Sequence, residues 1–64
     1  MGLAIRVRNE QGASEGYVGE SREAVEAWLE NTWHDVQSLS ATVFDEDGRI
    51  VAHMERGTAT LEWE

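Results

Sequence analysis

The period of the apolar residues changes twice along this chain, and that change restricts the fold more than any other feature. Residues 3 to 8 alternate, with Leu3, Ile5 and Val7 on one side and Ala4, Arg6 and Arg8 on the other, the period-two pattern of a half-buried strand. After Ser21 the spacing lengthens. At about 100° per residue, Val25, Trp28, Leu29, Thr32, Trp33 and Val36 share one arc of a helix while Glu23, Glu26 and Glu30 line the opposite side. Ser21 stands at the N-cap, its hydroxyl placed to accept from a first-turn amide. From Leu39 the period returns to two, in three runs: Leu39, Ala41 and Val43; Ile50, Ala52 and Met54; Ala59, Leu61 and Trp63. Asp45-Glu46-Asp47-Gly48 and Arg56-Gly57 separate these runs, each supplying Gly where a tight hairpin needs positive φ. Asn9 to Gly16 reads as a loop, and Tyr17-Val18 as either a short strand or a staple onto the sheet.

The expectation is a single α+β domain over residues 1–64 in the order β-α-β-β-β. One amphipathic helix covers one face of an antiparallel sheet of four strands, or of five if Tyr17-Val18 pairs. The other sheet face then meets solvent with Arg6, Arg8, Ser40, Thr42, Phe44, Val51, His53, Glu55, Thr58, Thr60, Glu62 and Glu64. A chain of 64 residues hides only about 60% of its unfolded surface, so the core is thin and there is little room for a deep pocket. Without Cys there is no disulfide or thiolate chemistry. Folding rests on apolar packing, to which the three Trp contribute as core residues more readily than as binding anchors. An apolar content of 41% places the chain above the disordered regime despite its charge. No apolar stretch approaches the roughly 20 residues that span a bilayer. Met1-Gly2-Leu3 opens directly into alternation, with no leader pattern. A soluble, cytoplasmic protein is expected.

Charge carries the functional signal. Thirteen acids face five bases, all Arg, for a net charge of −8. The twenty-six residues between Arg22 and Arg49 hold no cation and seven carboxylates: Glu23, Glu26, Glu30, Asp35, Asp45, Glu46 and Asp47. A solvated helix face gains from Glu and Lys at i,i+4, so packing does not require this bias. Only Arg22 can reach Glu26 at that spacing. Glu30 and Asp35 lie toward the helix C-terminus, against its dipole. Such a surface repels DNA, RNA and anionic membranes, which are bound through Lys and Arg, and attracts cationic partners. Along a helix three residues rise about 4.5 Å and four about 6 Å, of the order of the spacing between phosphates. The seven acids, with Trp33 or Phe44 as a desolvated contact, are therefore the candidate partner-binding residues. A Glu-rich face also serves solubility, the plainest competing explanation.

Catalytic, cofactor and metal sites are not expected. His34 and His53 lie in no recognised motif, and Ser14, Ser21, Ser38 and Ser40 lack a nucleophile elbow. If Gly48 is aligned to the invariant Gly of an EF-hand, Val43 falls at the first ligand position and Met54 where the bidentate Glu belongs, so the acidic tip is a hairpin turn.

In format the chain resembles the small anti-CRISPR proteins of phages and mobile elements: short, cysteine-free, acidic, with one helix against a short antiparallel sheet. Inhibitors of type I systems, such as type I-C, are the nearest likeness. It rests on size, charge and layout over the whole chain and transfers no family residue to a numbered position. The resemblance implies a non-enzymatic inhibitor acting in the cytoplasm of a bacterial host. It would bind a basic, nucleic-acid-binding Cas protein or surveillance complex, obstruct target DNA as a DNA mimic, and act as a monomer or weak homodimer. The alternative is a small interaction or toxin-neutralising domain using the exposed sheet face or an unpaired edge strand. A third reading, an enzyme using His53 with Glu55, lacks a pocket.

Overall fold

The computed structural model describes residues 2–64. Five strands and one α-helix follow in the order β1 (Leu3–Arg8), β2 (Ser14–Gly19), α1 (Arg22–Thr32), β3 (Ser40–Phe44), β4 (Ile50–Met54) and β5 (Glu62–Trp63), with a 3₁₀ turn at Val36–Ser38 before β3. All strands pair antiparallel in one sheet, in the order β2-β1-β3-β4-β5. The α+β architecture expected from the sequence is present, in its five-stranded form.

Tyr17-Val18 belongs to a full six-residue strand, and the expected loop shrinks to Asn9–Ala13. Asn9 makes that turn: its Oδ1 accepts from the amides of Gln11 (3.0 Å) and Ala13 (2.9 Å), and Gly12 takes φ 85°. The strand carries no apolar alternation because it is a sheet edge, with one neighbour to pair and only Tyr17 and Gly19 turned toward the helix.

Ser21 caps α1 as expected, in extended conformation, its Oγ accepting from Ala24 N at 3.1 Å. The helix stops at Thr32 and does not run on to Val36; Trp33 is already extended. Sheet length accounts for this. Eleven helical residues rise about 16 Å, close to the span of a five- or six-residue strand, so the chain must turn back at Trp33 for Val36 and Leu39 to reach the core.

The last strand is also shorter than expected and begins at Glu62, not Ala59. Residues 55 to 58 form a turn in which Thr58 N and Oγ1 both donate to Glu55 O (3.2 and 2.7 Å). Gly57 (φ 95°) donates its amide to Gln37 O at 2.8 Å. That tie to the α1–β3 connection draws the chain away from β4, and Ala59–Leu61 return it.

The core lies between α1 and one sheet face: Ile5, Val7, Val25, Leu29, Leu39, Ala41, Val43, Ala52, Met54 and Leu61 are buried. Tyr17 and Trp28 stack at its edge, ring centroids 5.2 Å apart and planes within 5°, and Trp28, Trp33 and Trp63 all pack against it, half-buried. The helix approaches β2 most closely at Gly19. A Cβ there would lie 2.9 Å from Tyr17 Cε2 and 3.3 Å from Ala24 Cβ and Val25 Cγ2, so the Tyr17 ring would have to shift from its stack on Trp28. Gly19→Ala is expected to destabilise by about 1–3 kcal/mol, read as a lower urea midpoint with unchanged slope. Gly16→Ala, whose nearest contact is 3.4 Å, should stay near the parent value.

Candidate functional site: an acidic groove beside the helix

Relative to Val25, the helical repeat sets Glu26, Glu30 and Glu23 at about 100°, 140° and 160°. The three carboxylates thus form a stripe along one flank of α1, toward β5. The returning segment Ala59–Leu61 faces that stripe across an open groove of about 310 Å³, lined by Glu23, Glu26, Ala27, Leu29, Glu30, Ala59, Thr60 and Leu61. Buried Leu29 and Leu61 floor it; Ala27 and Ala59 narrow it without adding charge. The groove therefore has an apolar bed and an anionic wall.

Glu26 is anchored, its Oε2 accepting from Trp63 Nε1 at 3.0 Å. Arg22, expected to reach Glu26, instead lies over the Trp63 ring, its guanidinium carbon 4.6 Å from the centroid, a cation–π contact. Among the described residues the one contact between a basic and an acidic side chain at salt-bridge distance is His53–Glu62, 3.5 Å apart on the other sheet face. Glu23 and Glu30 are exposed and no cation faces them within salt-bridge distance. Glu30 sits in the last helical turn, which holds no basic residue, so the dipole opposes it.

The other candidate residues stand apart from this stripe. Asp45, Glu46 and Asp47 form the β3–β4 tip, at the sheet end where α1 begins. Two of these carboxylates are engaged in structure. Asp45 Oδ1 accepts from the amides of Asp47 and Arg49, both at 2.9 Å, around a turn closed by Gly48 (φ 81°). Glu46 Oε1 accepts from Gly2 N at 2.8 Å. Asp35 lies at the opposite end of the sheet, in a shallow depression with Glu10, Gln37 and Arg56. Phe44 is on the uncovered face, since its neighbour Val43 is fully buried. Trp33 packs against the core at the helix C-terminus, its Nε1 shielded from solvent and without a hydrogen-bond partner. The structure thus brings Glu23, Glu26 and Glu30 together and leaves the two candidate apolar contacts on opposite faces.

Ala59, Thr60 and Leu61 are the part of the groove that sequence reasoning missed. Its period-two pattern reads as strand, and no local pattern says that it bends toward a helix far earlier in the chain. Among the described residues no three His, Asp or Glu side chains converge to hold a metal ion, and no helix is long and apolar enough to cross a membrane.

Fold and groove together define a small α+β domain with an anionic flank. Comparison of the chain with protein-family models, with curated proteins and with solved structures returns no match.

Proposed function

We propose that this chain is a non-enzymatic inhibitor whose acidic helix flank occupies a basic, nucleic-acid-binding surface of a partner protein. The observation that carries the reading is the groove: three carboxylates on one wall, unpaired with any cation, over a bed of Leu29 and Leu61. An Arg or Lys side chain has the matching form. Its methylene stem lies on apolar surface while its head takes charge-assisted hydrogen bonds, which Arg makes in bidentate fashion. A row of such side chains is what a DNA path offers, and a Cas protein or surveillance complex of a type I system is the receptor that the resemblance in size, charge and layout favours. Function then follows from competition, because a DNA channel filled by carboxylates holds no phosphates.

Displacement of DNA tests this. Labelled target DNA bound to such a complex should be released by increasing amounts of the protein. The protein's own affinity should fall as salt rises from low to physiological ionic strength, since exposed charges are screened beyond about 8–10 Å. Phe44→Ala, on the opposite face, should leave the competition unchanged. Binding that spares DNA, or that ignores salt, removes the acidic flank from the account.

A further inference from the structure

Helix α1 covers one face of the sheet and leaves the other open. At one end of that face the register sets Val18 beside Ala4, Ala4 beside Phe44 and Phe44 beside Ile50; Val18 and Ile50 are 70% and 52% exposed. The next row holds Arg6, Thr42, His53 and Glu62 on successive strands, and Arg8 pairs with Ser40. Cations therefore sit on β1. Acids sit on the β4–β5 side, where Glu55 and Glu62 share a depression with His53. Between them β3 presents only Ser40, Thr42 and Phe44. Alternation also places Glu64 on this face, so its two arginines and three glutamates leave −1 of the chain's −8. The remaining −7 of the −8 lies off this face, so a like molecule meets less repulsion here.

We propose that the open sheet face pairs with the same face of a second copy of this chain, about a two-fold axis running along β3. That axis lays β1 of each copy over β4 of the other. Arg8 then faces Glu55, Arg6 faces the His53–Glu62 pair, Ala4 meets Ile50, and the two Phe44 rings meet on the axis. The strands stay within the roughly 30° of aligned sheet packing. A two-fold axis across the strands would set Arg6 against Arg6, so charge selects the first arrangement. Four strands of five or six residues and a two-residue fifth, about 4.8 Å apart, give a face of about 400 Å². Two such faces fall short of the 1,200–2,000 Å² of stable interfaces, so the dimer is an exchanging one seen at high concentration. Both acidic helix flanks remain on the outside, and the inference stands apart from the reading of the groove.

Sedimentation velocity and amide NMR spectra from about 0.02 to 1 mM protein, near 0.15 M salt, test it. The parent chain should sediment faster as concentration rises, with amide shifts moving in β3 and β4. Arg6→Glu with Arg8→Glu in one protein, and Glu55→Arg with Glu62→Arg in another, should each stay monomeric across the range. Their equimolar mixture should regain association, because every reversed contact then meets its opposite. Circular dichroism confirms that both variants fold. A parent chain that stays monomeric, a mixture that fails to associate, or variants that associate alone as through a free edge strand, each overturns the proposal.

Discussion

Leu29→Ala is expected to cost about 2–5 kcal/mol, a large share of the total stability of this fold. Leu29 is 3% exposed and lies at the centre of the seam between α1 and the sheet, beside fully buried Val25 and Val43. A domain of 64 residues has about 3–10 kcal/mol in all, and each kcal/mol moves the melting temperature of so small a protein by about 4–8 °C. A fall of at least about 8 °C follows, measured by far-UV circular dichroism. Leu29→Met preserves volume and should cost under about 1.5 kcal/mol. A melting point that barely moves for Leu29→Ala would show that the helix is not held by this seam. Then the groove that Leu29 floors would not exist as described.

Glu23→Lys with Glu30→Lys should abolish partner binding while leaving the fold intact. The two residues are seven positions apart, about 10.5 Å along the helix axis, far enough for their effects to be nearly independent. Each reversal replaces an attraction to a partner cation by a repulsion. If each costs at least 1.4 kcal/mol, a factor of ten, the pair weakens binding at low salt by at least about 100-fold. Glu26 is left in place because it holds the Trp63 indole, so loss of binding cannot be ascribed to a loosened C-terminus. Stability supplies the independent check. Lys at position 30 favours the negative end of the helix where Glu opposes it, while Lys at position 23 gives up the one acid in the first turn, so the two effects offset and the double variant should melt close to the parent chain. Retained binding with the fold intact would mean that the stripe serves solubility alone; lost binding with the fold intact would mean that these carboxylates are kept for a partner.

Much of this was legible beforehand, and the reasons are local. Ser21 could be read as the helix start because a cap acts within one turn, and Gly48 and Gly57 as turn positions because positive φ is a property of single residues. Strand β2 was only half legible, because an edge strand with one buried side needs few apolar residues and Ser14–Gly19 shows no alternation. The end of α1 was misread because the periodicity continues through Trp33 and Val36, while the length of the sheet, set elsewhere in the chain, stops the helix at Thr32. Of the candidate site, the helical carboxylates were legible as a stripe. The division of the remaining acids between the two ends of the sheet was not.

The amino-acid sequence by itself determined most of the elements and their buried sides, since repeat, capping and turn chemistry act over a few residues; Ile50, which shares its period with Ala52 and Met54, is turned out by the register shift opposite Phe44 and is 52% exposed. Only the tertiary structure decided that Leu61 would face the acidic flank, that Arg22 would settle on Trp63 and not on Glu26, and that Phe44 and Trp33 would part to opposite faces. Those contacts join residues as far apart as Arg22 and Trp63, 41 positions along the chain. They depend on strand order and element length, which the whole chain sets together and no local period encodes.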